Sequence, residues 1–481
     1  MMQPASALRI GITILLGLFM TACASQTERR PLSLIYNQAA QYHEPDRNPI
    51  IVIPGILGSR LVDDDTGRTV WGAFDRQAAD PNDPKDALLL ALPISAALSL
   101  EDAQDSVRPD GVLERVRLRL LGIPIGIRAY VGILSTLGAG GYRDEGLGLN
   151  AIDYGDDHFT CFQFDYDWRR DNVENAARLK EFIDERRAYI QEEYRLRYGI
   201  ENAEVKFDIV AHSMGGLLTR YFMRYGDADL PADGSIPDVT WAGAEDVERV
   251  ILVGTPNAGA SNAFEQLLNG FDPARPVLPH YPAAILGTYP SIYQLLPRPR
   301  HNRIVHTDAT QSNVDNIYDV DLWAKYGWGL AAENREVRSF LSYALPEMES
   351  DAERHAVALD YLDKSLKRAE AFHNALDMKV EMPEGLDLYL VAGDAIDTPD
   401  RIGVDPVSGK AEVIETALGD GTVPRHSALL DERTGNEWEP LLQSPIDWTS
   451  VQFIATDHLG LTTDPGFANN VLFLLLEDPR D

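Results

Sequence analysis

The chain has 481 residues, 44% apolar and 25% charged, with 37 Gly and 29 Pro, a composition that excludes disorder, collagen or coiled coil for the chain as a whole. Lys and Arg number 43 against 75 Asp and Glu, a formal charge of −32, so nucleic-acid phosphate is repelled and counterion release cannot drive binding to it. The same charge disfavours electrostatic adhesion to an anionic bilayer, which leaves apolar or covalent contacts as the means of any membrane attachment.

Residues 1–22 read as an export signal. Arg9 supplies the positive start, and residues 10–20 form an apolar run interrupted by Thr13, short of the roughly 20 apolar residues that span a bilayer. Met20-Thr21-Ala22-Cys23 follows and resembles the lipobox of bacterial lipoproteins, in which the cysteine becomes the lipidated first residue. The alternative is an ordinary signal cut near Ala22 or Ala24. Lipidation at Cys23 implies an exported protein of the bacterial cell envelope, held at the outer membrane by an acyl anchor. It also leaves Cys161, the other cysteine, without a disulfide partner and reading as a buried filler. Residues 23–47 are then a polar tether, and residues 48–481 a single large domain.

In that domain short β-rich apolar runs at 50–53, 159–164, 205–211, 250–253, 386–392 and 451–455 alternate with helical patterns. This predicts an α/β protein with a mainly parallel sheet. Residues 173–198 carry Ala176, Leu179, Ile183, Ile190 and Tyr194 on one face, with Asp171 placed to cap the start and Gly199 just past the end, and so predict a helix. Two stretches, about 60–127 and 262–345, are too long for simple connections and are expected to be insertions serving as membrane or lid elements. Within them, residues 87–100 are either a segment that dips into a membrane or a buried helix. Residues 276–297, rich in Tyr, Leu and Ile, are either a lid over an acyl chain or the core of a cap.

The sharpest chemical signal is Ala211-His212-Ser213-Met214-Gly215-Gly216, directly after one predicted strand and before a helical run. Strand, tight turn and helix make G-x-S-x-G a nucleophile elbow, here with Ala211 in place of the first glycine, and put Ser213 at its crest. A serine hydroxyl needs a base, and the base an orienting carboxylate, which in this fold follow in the order Ser, acid, His. His458, after the last strand, is favoured as base over His426, expected on a surface loop; His212 is expected to pack away from Ser213. Asp420, in Gly419-Asp420-Gly421-Thr422-Val423-Pro424, is favoured as acid over Asp394, which directly follows the strand at 386–392. The oxyanion donors are expected to be the amides of Met214 and of Ile56 in Pro54-Gly55-Ile56-Leu57-Gly58. No C-x-x-C, H-E-x-x-H or glycine-rich phosphate loop is present, so the chemistry is expected to need no cofactor.

Ile53-Pro54-Gly55-Ile56-Leu57-Gly58-Ser59-Arg60-Leu61, Gly141-Tyr142, Tyr166-Asp167-Trp168-Arg169, the Ser213 elbow, Gly254-Thr255-Pro256 with Gly259, Gly419-Asp420-Gly421-Thr422-Val423 and His458-Leu459 together resemble the lecithin:cholesterol acyltransferase family, including lysosomal phospholipase A and phospholipid:diacylglycerol acyltransferase. The resemblance spans about residues 48–462. It implies an α/β-hydrolase fold with a cap or lid insertion and a second insertion nearer the N-terminus, Ser213, Asp420 and His458 as a triad, and Ile56 and Met214 as oxyanion donors. It also implies a lipid ester as substrate, through an acyl-enzyme that water or an alcohol resolves. Leu57, Trp168, Tyr289, Tyr293 and Leu295 are the candidate substrate contacts. The animal enzymes carry disulfides that two cysteines cannot reproduce, and the insertions do not match position by position. A carboxylesterase or triacylglycerol lipase on the same fold is the nearest rival. A non-catalytic envelope lipoprotein is a further one, against which stands the complete set of elbow, acid, base and oxyanion loop.

Overall fold

The structure, a computed structural model, describes residues 31–72, 79–113, 115–120, 123–128, 130–148, 158–272, 279–308, 310, 312–314, 316–433 and 439–480. The export segment, Cys23 and residues 276–278 of the cap run lie outside these. Six parallel strands form the central sheet: Ile50–Ile53 (β1), Cys161–Gln163 (β2), Phe207–His212 (β3), Val247–Val253 (β4), Asp387–Gly393 (β5) and Ser450–Ile454 (β6). Each coincides with one predicted apolar run, and their spatial order is β2-β1-β3-β4-β5-β6.

Strands covered on both faces need continuous apolar runs, and β1, Ile-Ile-Val-Ile, is wholly buried. The two-residue period splits such a strand between two cores. Ile51 and Ile53 face the helices Asn172–Tyr198 (α1) and Met214–Tyr225 (α2) and the cap, whereas Ile50 and Val52 face the helices Val131–Ala139 and Pro465–Leu476. α1 is the predicted helix. Asp171 accepts from the Val173 amide at its start, and Gly199, at φ 68°, ends it in the left-handed conformation that glycine tolerates best. Because β2 lies on one side of β1 and β3 on the other, the chain reverses direction across the sheet between β1 and β3. The carboxyl ends of these two strands therefore open a crevice, the position at which α/β sheets bind ligands.

The N-terminal insertion is a small antiparallel sheet of Ser59–Asp63, Thr69–Trp71 and Val107–Val112, with a helix Pro84–Leu90 capped by Asp83. Residues 87–100 divide in two: the first part is largely buried, and residues 96–99 are exposed. The helix stops at Leu90, and Ala87, Leu90, Ala91, Leu92 and Ile94 are buried in the same core as the sheet. Among the described residues no helix is long and apolar enough to cross a membrane. Arg169 pins this insertion: fully buried, it pairs with Asp167 and Asp105 and donates to the carbonyls of Leu89, Leu90 and Ala91. A buried guanidinium is tolerable only when paired and hydrogen-bonded in this way.

The second insertion holds the helix Ser261–Asn269 (α3), the short turns Ala283–Leu286 and Pro290–Tyr293, and the helices Val320–Tyr326 and Arg335–Ala344, ahead of the 27-residue helix Asp351–Asp377 (α4) with its Ser350/Glu353 capping box. Tyr281, Ile285, Leu286, Tyr289, Ile292, Tyr293, Leu295 and Leu296 are all buried in the main core, and five of them also face the cavity described below, so this run packs as a cap and roofs that cavity at once. The tether is also shorter than its polarity implies. Residues 32–35 and 39–41 are helical turns lying on the domain, the Tyr36 hydroxyl donates to the Asn469 carbonyl (2.9 Å), and Arg47 donates to the Gly140 carbonyl (2.6 Å). Buried Tyr36 and the Arg47 guanidinium, which also donates to the Ala39 and Tyr42 carbonyls, hold this otherwise polar stretch on the domain.

Candidate active site

β3 ends at His212 and α2 begins at Met214, which leaves Ser213 at φ 55°, ψ −127°. A non-glycine residue there stores about 1–3 kcal/mol of strain and persists only where its surroundings fix it. The Ser213 amide donates to the Val253 carbonyl (2.8 Å), and the Ser213 carbonyl accepts from the Gly216 amide (3.0 Å). The loop after β1 packs directly on this elbow. A Cβ on Gly55 would lie 2.6 Å from Ser213 Cβ, and one on Gly215 would overlap the Pro54 carbonyl oxygen.

That loop is held from every side. The Tyr166 hydroxyl donates to the Pro54 carbonyl (2.9 Å), Trp71 Nε1 to the Leu57 carbonyl (2.9 Å) and Trp168 Nε1 to the Ser59 carbonyl (3.1 Å), while Ser59 Oγ accepts from the Tyr166 amide (3.1 Å). Tyr166-Asp167-Trp168-Arg169 is thus a positioning device: two residues hold the loop after β1 and two hold the insertion beside it. Leu57 itself has φ 63°, a second strained residue at the site. Ile56 and Leu57 form part of the cavity wall. Met214 opens α2, where N–H groups have no intrahelical acceptor, and its side chain is buried beneath.

The structure separates the competing acids and bases. Asp420 Oδ2 lies 2.8 Å from His458 Nδ1, and the His458 amide donates to the Asp420 carbonyl (2.9 Å), so side chain and main chain join the same two residues. Asp420 Oδ1 accepts from the Thr422 and Val423 amides (2.9 and 2.7 Å). Burial raises the affinity of this carboxyl for protons, but the His458 imidazole and the two amides outweigh it and hold the group below the usual carboxylate range. Glycines make the room: a Cβ on Gly393, at the end of β5, would lie 2.6 Å from Asp420 Cβ, and one on Gly254, after β4, would lie 3.2 Å from His458 Nδ1. Asp394 is half-buried and not part of the cavity wall. His426 is no surface-loop residue: it sits in the short helix Arg425–Leu429, with Nε2 2.7 Å from Asp400 Oδ1. His212 does more than pack, since Nδ1 lies 3.1 Å from the Tyr130 hydroxyl and Nε2 3.1 Å from the His458 carbonyl oxygen.

Ser213, His458 and Asp420 open onto one cavity of about 580 Å³, within the range of small-molecule sites. Of the expected substrate contacts, Leu57, Trp168, Tyr289 and Leu295 line it. Tyr293 does not. Its hydroxyl donates to the Gly287 carbonyl (2.9 Å) and its ring lies 5.9 Å from that of Trp323, fully buried in the cap. Trp71, Tyr130, Asn262 and Gln266 also line the cavity without any sequence signal to single them out. Trp71 is recognisable only afterwards, as one of the rings packed edge-on around Trp168 (5.6 Å).

A strained serine at a strand-to-helix elbow, an Asp–His pair delivered from loops after later strands, and a parallel sheet with helices on both faces define an α/β-hydrolase. Residues 149–433, which hold the elbow and Asp420, match the lecithin:cholesterol acyltransferase family, and the chain belongs to that family. It is 28% identical over 203 residues to "Lecithin-cholesterol acyltransferase-like 4" of Arabidopsis thaliana, a match covering 38% of this chain and 31% of that one; the chain thus spans under a third of the length of this curated relative. It resembles in fold a chain of the crystal structure of the Tle4–Tli4 complex, with a TM-score of 0.56 at 14% identity over 90% of this chain and 99% of that chain.

Proposed function

We propose that the protein is a serine-dependent acyl hydrolase or O-acyltransferase that takes ester-linked acyl chains from lipids, phospholipids among them, through an acyl-enzyme on Ser213. The observation that carries this reading is the opening of Ser213 and the His458–Asp420 pair onto a single cavity walled by Leu57, Trp71, Trp168, Tyr289 and Leu295. In the proposed reaction His458 Nε2 takes the Ser213 Oγ proton as Oγ attacks the ester carbonyl, and Asp420, still ionised, holds the imidazolium. The amides of Ile56 and Met214 stabilise the oxyanion. Collapse breaks the ester bond, and His458 returns the proton to the departing alcohol. Water or an acceptor alcohol then gives its proton to His458 and its oxygen to the acyl carbon; the acyl–Oγ bond breaks, His458 passes the proton to Oγ, and acid or new ester leaves Ser213 restored. Each methylene buried on the apolar wall contributes about 0.8 kcal/mol, which favours long acyl chains over acetyl or butyryl groups.

The test is labelling by a fluorophosphonate, followed by mass spectrometry of lipids after incubation with mixed phospholipids and an alcohol acceptor. Labelling and acyl release that are both lost in Ser213→Ala support the reading; a folded wild type that neither labels nor turns over any ester refutes it. The location is part of the proposal: export, lipidation at Cys23 and attachment to the cell envelope, supported by Met20-Thr21-Ala22-Cys23. A Cys23→Ala protein still recovered in the detergent-extracted membrane fraction overturns the anchor.

A further inference from the structure

A chain of hydrogen bonds runs along the cavity wall outside the Ser213, His458 and Asp420 set. The Gly55 amide donates to Tyr130 Oη (2.8 Å), which lies 3.1 Å from His212 Nδ1, and His212 Nε2 lies 3.1 Å from the carbonyl oxygen of His458. Chemistry fixes the direction of each bond. A carbonyl oxygen only accepts, so Nε2 carries the imidazole proton. Neutral imidazole then offers Nδ1 as an acceptor, and the Tyr130 hydroxyl donates to it while accepting from Gly55. Burial keeps both groups in these states: it pushes His212 down to about 3, with neighbouring His458 adding to the shift, and raises the Tyr130 phenol. With both nitrogens of His212 engaged, neither is left to serve Ser213 as a base.

We infer that Tyr130 and His212 are positioning residues that tie the oxyanion loop to the base loop, so that donor and base stay in register around Ser213. This inference rests on the reading of Ser213 and His458 given above. The need for such a tie follows from the topology. The oxyanion loop leaves β1 and the base loop leaves β6, strands separated in the sheet by β3, β4 and β5, so no strand pairing sets one loop against the other. Both peptide groups of His458 are held, its N–H by the Asp420 carbonyl and its C=O by His212. The helix Val131–Ala139, which begins immediately after Tyr130, also abuts the turn that follows the base: a Cβ on Gly132 would lie 2.6 Å from the Thr462 carbonyl oxygen. One element therefore touches both arms of the apparatus.

The experiment measures kcat and KM on a long-chain chromogenic ester, with melting temperature as a control, for Tyr130→Phe, His212→Phe and the double variant. Tyr130→Phe keeps the ring packed edge-on against His212 and removes the one oxygen that joins the two loops. Misplacement of reacting groups costs roughly 10–100-fold, so kcat should fall by that factor while KM stays within about twofold. The double variant should lose no more than His212→Phe alone, because the two residues act as one tie. A folded Tyr130→Phe with kcat within about twofold of wild type, or losses that multiply in the double variant, overturns the inference. Should Tyr130→Phe fail to fold, His212→Phe is read alone: it keeps a ring in place and removes both contacts, so kcat should fall roughly 10–100-fold, and a wild-type value overturns the tie. A wild type inert to ester and fluorophosphonate refutes the Ser213 reading itself, whereas an active wild type with an indifferent Tyr130→Phe refutes only the tie.

Discussion

Replacing Asp420 with Asn separates the electrostatic work of the acid from its role in the fold. The carboxylate accepts at Oδ1 from the Thr422 and Val423 amides and at Oδ2 from His458 Nδ1. Asparagine keeps the first oxygen but turns an NH2 group toward the imidazole. Two donors cannot face each other, so His458 moves its proton to Nε2, the atom that must accept from Ser213. The wrong tautomer costs a serine protease about 10⁴ in kcat, and the same factor is expected here, about 5.4 kcal/mol of barrier at 1.36 per decade. The stability loss is smaller. One charge-assisted bond of the three is lost, about 1.5–3 kcal/mol, at a group that is 1% exposed and so unscreened by solvent. With unfolding entropy near 2.1 cal/mol/K per residue over roughly 420 described residues, that lowers the melting temperature by only about 2–3 °C. The assay is steady-state hydrolysis of a chromogenic ester beside thermal melting by circular dichroism, with Asp394→Asn in parallel and expected to stay within about twofold of wild type. A folded Asp420→Asn within tenfold of wild type, or an Asp394→Asn with the larger loss, refutes the reasoning.

Three further outcomes follow from the same geometry. Ser213→Gly and Ser213→Ala should both abolish fluorophosphonate labelling, but the glycine variant should melt higher by a degree or more, because it relieves part of the roughly 1–3 kcal/mol held at φ 55°; equal or reversed melting temperatures remove the strain argument. Leu295→Trp, which fills part of the cavity wall, should lower the ratio of long-chain to short-chain kcat/KM by at least about tenfold, given about 0.8 kcal/mol per excluded methylene, and an unchanged ratio takes Leu295 out of the proposed acyl site. The third outcome concerns acid. Burial together with neighbouring arginines holds His43 and His158 down at about 4, and burial holds His212 at about 3. Above the ordinary histidine value of 6.5 these groups are neutral folded or unfolded and contribute nothing to pH dependence. Below 6.5 the unfolded chain takes up protons that the folded chain refuses, so stability should fall from pH 6.5 down to about 4. A second loss should follow between about 4.5 and 2, where burial of Glu432 is outweighed by His301 and Arg300 and its carboxyl is held at about 2. Melting temperature measured from pH 7.5 to 4.5 checks the first window, and a flat profile between pH 7 and 5 contradicts it.

Much of the site is visible in the sequence because its signals are local. The elbow needs a strand, small residues and a helix in immediate succession, and Ala211 to Gly216 supply them. Asp420 stands in a turn whose Thr422 and Val423 amides fold back on its own carboxylate, a local reason for favouring it over Asp394. Tyr289 and Tyr293 have no such distinguishing mark. Both are aromatic and fully buried, yet one meets the cavity and the other the cap core, because the turn Pro290–Tyr293 is too short for a periodic face and neighbouring chains decide which way each ring points. His426 reads as a surface-loop residue because its partner, Asp400, lies 26 residues earlier and only the fold brings the two together.

The sequence by itself determined the parallel sheet, the long helix α1 and the strand-turn-helix around Ser213, since apolar period, caps and tight turns act through residues near one another in the chain. Only the tertiary structure decided which apolar residues wall the cavity, that residues 31–47 dock on the domain, that Ala87, Leu90, Ala91, Leu92 and Ile94 lie in the core, and that Tyr130 meets His212 across 82 positions of chain. Those contacts depend on how loops from different strands are laid over one sheet edge. That path is set by the packing of the whole molecule, so no short stretch of residues encodes it.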